Sequence, residues 1–180
     1  IDFSGASVTV ALGINNPGQI VGYYRLSGSG GFSHSYLLDE ATFTNIDVPG
    51  ASHTEAFRIN ERGDIVGLYK AGGSTHGFLL EGGAFTTIDV PGASSTVAFG
   101  INNSGYIVGA YGMSGTNHGF LLEKGSFTTI DVPGASRTDA RGINNQGQIV
   151  GYYSVGGTFH GFLLDKGSFT TIDVPGASQT

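Results

Sequence analysis

The ten residues FTTIDVPGAS stand at 85–94, again at 127–136 and again at 169–178, and a near copy, FTNIDVPGAS, occupies 43–52. Ile46, Ile88, Ile130 and Ile172 open the four IDVPGAS segments at intervals of 42 residues. Ile1 opens a degenerate version, IDFSGAS, 45 residues before Ile46. Other landmarks keep the same step: GINN at 13–16, 100–103 and 142–145 with RINE at 58–61; QIVGYY, DIVGLY, YIVGAY and QIVGYY at 19–24, 64–69, 106–111 and 148–153; HSYLLD, HGFLLE, HGFLLE and HGFLLD at 34–39, 76–81, 118–123 and 160–165. A unit of this length is one supersecondary element that buries its apolar faces only by stacking on its neighbours. The chain therefore reads as a single repeat domain, 1–180, with repeats 1–45, 46–87, 88–129 and 130–171 and a partial fifth start at 172–180.

The repeat consists of strands. In the third copy TVAFGIN (96–102) alternates Thr96, Ala98 and Gly100 with Val97, Phe99 and Ile101, the period of two that marks a strand. NSG then predicts a tight turn with Gly105 at positive φ. YIVGAY (106–111) is a β-branched and aromatic second strand, GMSGTN (112–117) reads as a loop, HGFLLE (118–123) is a third strand, and FTTIDV (127–132) a fourth. Pro133 cannot donate to a ladder and ends it. No segment has the length or the 3.6-residue period of a helix. Thirty-two glycines without a three-residue period exclude collagen and read as turns between short strands.

Four antiparallel strands in about 42 residues is the size of a propeller blade. The expected fold is all-β, a β-propeller of four four-stranded blades, with a share in a larger or oligomeric propeller, or a stacked β-solenoid, as the alternatives. The strands are named A to D in chain order. Strand A carries the smallest residues (Thr54 and Ala56; Thr96, Ala98 and Gly100; Thr138, Ala140 and Gly142), which suits the place where blades crowd together, so it is expected innermost.

The pattern A-x-G-I-N-N-x-G-x-I-V-G-x-Y … H-G-F-L-L-x-x-G-x-F-T-T-I-D-V-P-G-A resembles the HAF-type repeats of bacterial extracellular proteins, over nearly the whole chain. The resemblance implies a propeller-like architecture and a secreted or cell-surface location, and carries no activity with it. The first repeat departs most, with Ser4 in place of the proline and HSYLLD for HGFLL; the second has Arg58, Glu61 and Arg62 at positions that are small or polar elsewhere.

His34, His76, His118 and His160 occur once per repeat, as do Asp47, Asp89, Asp131 and Asp173. Related by a fourfold axis and set away from it, the imidazoles stand too far apart to share an ion at ligand distances near 2.1 Å. A structural His–Asp hydrogen bond inside each blade, buried and specifying the blade, is expected instead, with no metal and no cofactor. Asn15, Asn60, Asn102 and Asn144 precede tight turns and are read as turn residues.

The residues that vary between repeats gather in the B–C loops and D–A links, which leave a blade at one end: Arg25, Phe32, His53, Lys70, Met113, Asn117, Arg137 and Phe159. Neutral drift accounts for this as well as binding does, and it is where a ligand would be sought. No nucleophile, phosphate-loop or zinc motif is present, so an enzyme is not expected. Only Glu55, Asp139 and Arg141 on strand A would serve a site at the axial opening. A net charge of −6 without a basic cluster disfavours nucleic acid, and no apolar run approaches the length of a membrane helix.

If four blades close a ring, 1–9 and 172–180 want the same place. Either the ends engage a second chain, or the tail packs beside its own ring. Three roles remain: a non-catalytic extracellular assembly or surface-interaction module, joining copies of itself through chain ends or blade edges; a carbohydrate-binding propeller holding a glycan or cell-surface polymer, which the absence of Trp disfavours; and, least, an enzyme.

Overall fold

The computed structural model describes residues 2–28 and 30–176. The chain divides into two compact units, Ile1–Asp89 and Val90–Thr180, and all sixteen elements among the described residues are strands. The first unit holds β1 (Ala6–Ile14), β2 (Ile20–Leu26), β3 (His34–Asp39) and β4 (Thr42–Asn45), then β5 (His53–Ile59), β6 (Ile65–Ala71), β7 (Ser74–Glu81) and β8 (Ala84–Ile88). The second holds β9 (Ser95–Ile101), β10 (Ile107–Met113), β11 (Thr116–Glu123) and β12 (Ser126–Ile130), then β13 (Arg137–Ile143), β14 (Ile149–Val155), β15 (Thr158–Asp165) and β16 (Ser168–Ile172). Within each group of four, consecutive strands pair antiparallel, so each repeat folds as one four-stranded blade in the order A-B-C-D.

The repeated VPGA is a turn. In Val48–Ala51 the Ala51 N–H donates to the Val48 carbonyl at 3.1 Å, and Gly50 has φ +79°. Proline followed by a positive-φ glycine is the type II arrangement. The first Thr of the next strand A caps it: Thr54, Thr96 and Thr138 each accept the valine N–H on Oγ1 at 3.1 Å. Ser4 replaces the proline at the front of the chain, yet Ala6 N–H still reaches the Phe3 carbonyl at 3.0 Å and Gly5 has φ +81°. The turn therefore forms without the proline and keeps its positive-φ glycine. Of the expectation for the chain ends, Ile1 and 177–180 lie outside the described residues.

Two boundaries differ from expectation. The B–C segments of the second to fourth blades are not six-residue loops: the strands run on to Ala71↔Ser74, Met113↔Thr116 and Val155↔Thr158 and leave two-residue turns. Both turn residues have positive φ (Gly72 and Gly73, Ser114 and Gly115, Gly156 and Gly157), the type I′ geometry whose twist matches that of the flanking strands. Only the first blade keeps a long B–C connection. Strand D is shorter than read, ending at Ile88, Ile130 and Ile172, because the next residue turns its carboxylate onto a histidine rather than continuing the ladder.

Blades meet face to face within each unit. In the first, Val21 and Ile46 of one blade pack with Ala56, Ile59, Ile65 and Phe78 of the next. In the second, Val108 and Ile130 pack with Ala140, Ile149, Tyr153 and Phe162. Strand A lies beside strand A of its neighbour: a methyl group on Gly13 would stand 2.9 Å from the Phe57 carbonyl oxygen, and one on Gly100 3.2 Å from the Gly142 Cα. This close approach is the physical reason for the small residues of strand A. Every A–B pairing carries an irregularity in register, passing over Leu12, Phe57, Phe99 and Arg141.

Candidate functional site

Each blade repeats one polar cluster. His34, His76, His118 and His160 place Nδ1 at 2.6, 2.8, 2.9 and 3.1 Å from a carboxylate oxygen of Asp47, Asp89, Asp131 and Asp173. Each imidazole stacks on the tyrosine of strand B (Tyr24, Tyr69, Tyr111, Tyr153) with centroids 5.0–5.3 Å apart. In three blades that tyrosine hydroxyl meets a strand D threonine, Thr87, Thr129 or Thr171, at 2.8–3.0 Å. Contrary to expectation the pairs are part-exposed rather than buried, because the Asp sits past the end of strand D, outside the ladder. The repeated asparagines close the A–B turns: Asn102 Oδ1 accepts the N–H of Ser104 and of Tyr106, both at 3.0 Å. They also tie blades together, through Asn15 Nδ2 to the Asn60 carbonyl and Asn102 Nδ2 to the Asn144 carbonyl, each at 3.1 Å.

All the varying residues except Met113 fall in one cluster per unit. In the first, Arg25 Nε donates to Ser33 Oγ at 3.0 Å, and Ser33 Oγ donates to Glu55 Oε1 at 2.8 Å. The Arg25 guanidinium lies 3.4 Å from the same oxygen. His53 meets the exposed Phe32 ring edge to face at 5.2 Å, pairs with Lys70 across the ladder, and accepts the Ser33 N–H on Nδ1 at 3.2 Å. Burial, with the charges of Lys70 and Arg25 and against the opposing pull of Glu55, holds its pKa below the ordinary imidazole value. The unfolded chain takes up this proton near pH 6.5, before the folded one does. The stability tied to neutral His53 is therefore complete above about pH 6.5 and is lost as the pH falls through the lower folded value. Urea midpoints measured across this range should fall more steeply with acidification for the parent chain than for His53→Gln.

In the second unit the cluster is tighter. Buried Asp139 receives Arg137 Nε on Oδ1 at 2.9 Å, and on Oδ2 it receives Arg137 Nη2 and Arg141 Nη2 at 3.0 Å and the Tyr152 hydroxyl at 2.9 Å. Both arginines also donate to the Tyr152 oxygen, at 3.0 and 2.8 Å. The Arg141 guanidinium lies over Phe99 of the neighbouring blade, 3.7 Å from its centroid. Tyr152 meets Phe159 edge to face at 5.6 Å, and Asn117 pairs with Arg137 through a single parallel bridge. Burial by itself would raise the Asp139 pKa; hydrogen bonds from Arg137 and Tyr152 and the charges of Arg137 and Arg141 outweigh it and hold the carboxyl below its usual range. Met113 stands apart from this group, its methyl 3.5 Å from where a side chain on Gly92 would begin.

No protein-family model matches the chain, and no curated protein does. Solved structures do. TolB from Acinetobacter baumannii superposes with a TM-score of 0.69 at 13% identity, over 91% of this chain and 43% of its own. A streptogramin B lyase gives 0.60 at 14%, over 98% of this chain and 58% of its own. A catalytically inactive virginiamycin B lyase from Staphylococcus aureus, with quinupristin, gives 0.61 at 11%, over 99% and 60%. The fold is a β-propeller. At these identities the likeness extends to architecture alone, and the chain spans less than two thirds of each of these proteins.

Within the propeller, the eight varying residues divide into Arg25, Phe32, His53 and Lys70 in the first unit and Met113, Asn117, Arg137 and Phe159 in the second. Of the three strand A residues, Asp139 and Arg141 share one network, whereas Glu55 belongs to the Arg25–Ser33 group. Sequence reading missed Ser33, Phe99 and Tyr152. A signal for Tyr152 was present: the third repeat has Val97, Phe99 and Ala110 where the fourth has Asp139, Arg141 and Tyr152, a polar set replacing an apolar one.

Proposed function

We propose that this propeller is a non-catalytic assembly module that joins a second copy of itself, blade face to blade face, outside the cell or at its surface. One observation carries the reading: residues that form the blade-to-blade core inside each unit are uncovered on the first and fourth blades. Ile14 of the first blade is 67% exposed while its counterpart Ile59 is 7% exposed. On the fourth blade Val150 and Ile172 are 45% and 50% exposed, against 0% and 4% for Val108 and Ile130. Beside Ile14, an open depression of about 250 Å³ is lined by Ala11, Leu12, Gly13 and Ile20.

The occupant follows from the repeat. Val21 and Ile46 of one blade pack against Ala56, Ile59 and Ile65 of the next. Val150 and Ile172 match the first pair, and Ala11, Ile14 and Ile20 match the second set. The fourth blade of one copy thus carries the side chains that the first blade of another is shaped to receive. Such a head-to-tail contact makes a ring if its rotation closes and a filament if it does not. Burying an Ile or Val side chain is worth roughly 1.5–3 kcal/mol, so a charge placed on either face should abolish the contact. Asp139 fits the non-catalytic part of the reading, since both of its oxygens are taken up by Arg137, Arg141 and Tyr152.

Light scattering behind size exclusion tests the proposal. The parent chain should show a mass above 18.5 kDa that rises with concentration. Ile14→Asp and Ile172→Asp should each interrupt growth, and their mixture should form a two-chain species through the one intact pair of faces. A parent chain that stays at one copy over the whole concentration range would overturn the reading.

A further inference from the structure

The Arg137–Asp139–Arg141–Tyr152 cluster has more donors than its own residues use. We propose that it is a binding site for a carboxylate group. Two guanidinium groups face one carboxylate, so the cluster keeps one unbalanced positive charge. Both arginines are part-exposed while Asp139 between them is buried. The hydrogen bonds of Arg137 run through Nε and Nη2 and those of Arg141 through Nη2, which leaves Nη1 of each without a described partner. Arg141 Nε is buried and also has none.

The geometry is held from several sides. Arg141 is the residue passed over in the β13–β14 register, between Ala140 and Gly142, and its guanidinium lies on the same face as Asp139, two residues back, at 3.0 Å. Phe99 then covers one guanidinium face, and the half-buried rings of Tyr152 and Phe159 border the group. An arginine fixed by a carboxylate and a ring has lost its rotamer freedom before a ligand arrives, which lowers the cost of binding. The planar fork suits a planar carboxylate, and a single residual charge matches a monoanion better than a phosphate dianion. The cluster belongs to one blade of four: the third repeat has Ser95, Val97 and Ala110 where the fourth has Arg137, Asp139 and Tyr152, so the array does not require it. This site is independent of the blade faces that carry the assembly proposal.

The test is a titration of the full chain followed by the nitrogen and proton resonances of the arginine Nε–H groups. The probes are sodium acetate, sodium glucuronate, glucose and inorganic phosphate at constant ionic strength. Expected are saturable shifts of the Arg137 and Arg141 signals with acetate and with glucuronate, and none with glucose. Arg141→Leu should remove saturation in the Arg137 signal. Arg141→Lys, which keeps the charge without the fork, should weaken it by about tenfold. The site is overturned if neither carboxylate saturates, or if Arg141→Leu leaves the Arg137 response unchanged. The carboxylate assignment is overturned if phosphate binds more tightly than both.

Discussion

Replacing Gly109 with alanine is expected to destabilise the second unit by about 3 kcal/mol, the upper end of what overpacking costs. Gly109 is the glycine of the repeated IVG, in mid-strand and away from any turn. A methyl group there would stand 2.0 Å from the Val97 carbonyl oxygen and 2.6 Å from the Phe120 ring. The carbonyl is backbone of the paired strand A, and Phe120 is fully buried, so neither can yield without moving a strand or the core. The same crowding meets Gly67 and Gly151, beneath Phe78 and Phe162. Urea unfolding followed by fluorescence would read the loss as a lower midpoint. The contrasting control is Gly115→Asn: Gly115 has φ +83° with nothing within 4 Å of a side chain, and asparagine tolerates that conformation, so the expected cost is below about 1 kcal/mol.

Asp139→Ala should cost a similar amount, about 3 kcal/mol, the lower end for breaking a buried ion pair because the arginines left behind are part-exposed rather than buried. It also leaves Arg137, Arg141 and Tyr152 without their shared acceptor. The pH dependence separates this effect from simple loss of packing. The folded carboxyl sits below the usual range, so its contribution is complete above an unfolded value of about 3.9 and disappears as the pH falls through the folded one. The penalty of the substitution, measured by urea midpoints, should therefore shrink on acidification below about pH 4. A penalty of the same size at every pH would mean that the charge of Asp139 is immaterial and only its volume matters.

Much of this architecture was legible without coordinates because it is local and repeated. Period-two alternation marks strands, a glycine after GINN marks a turn, and four aligned copies let each strand confirm the others. The His–Asp pairing followed from two residues recurring at one fixed spacing. The small residues of strand A correctly announced a crowded place, which the closeness of Gly13 to Phe57 and of Gly100 to Gly142 explains. What stayed hidden depends on partners distant in the chain. The extended B–C hairpins of the later blades arise from pairing across the sheet, which composition reads as Gly/Ser-rich loop. The i, i+2 spacing of Asp139 and Arg141 on strand A was legible as one face, but the ring of Phe99 in the adjoining blade and the Tyr152 hydroxyl that complete the network come from other strands, so no spacing along strand A could announce them. Ile14 and Ile59 occupy the same place in the repeat, with the same side chain on the same strand, yet one is exposed and the other is core. The sequence determined which faces of a blade are apolar; only the tertiary structure decided which of those faces are covered, because burial belongs to the neighbouring blade and not to the residue that is buried.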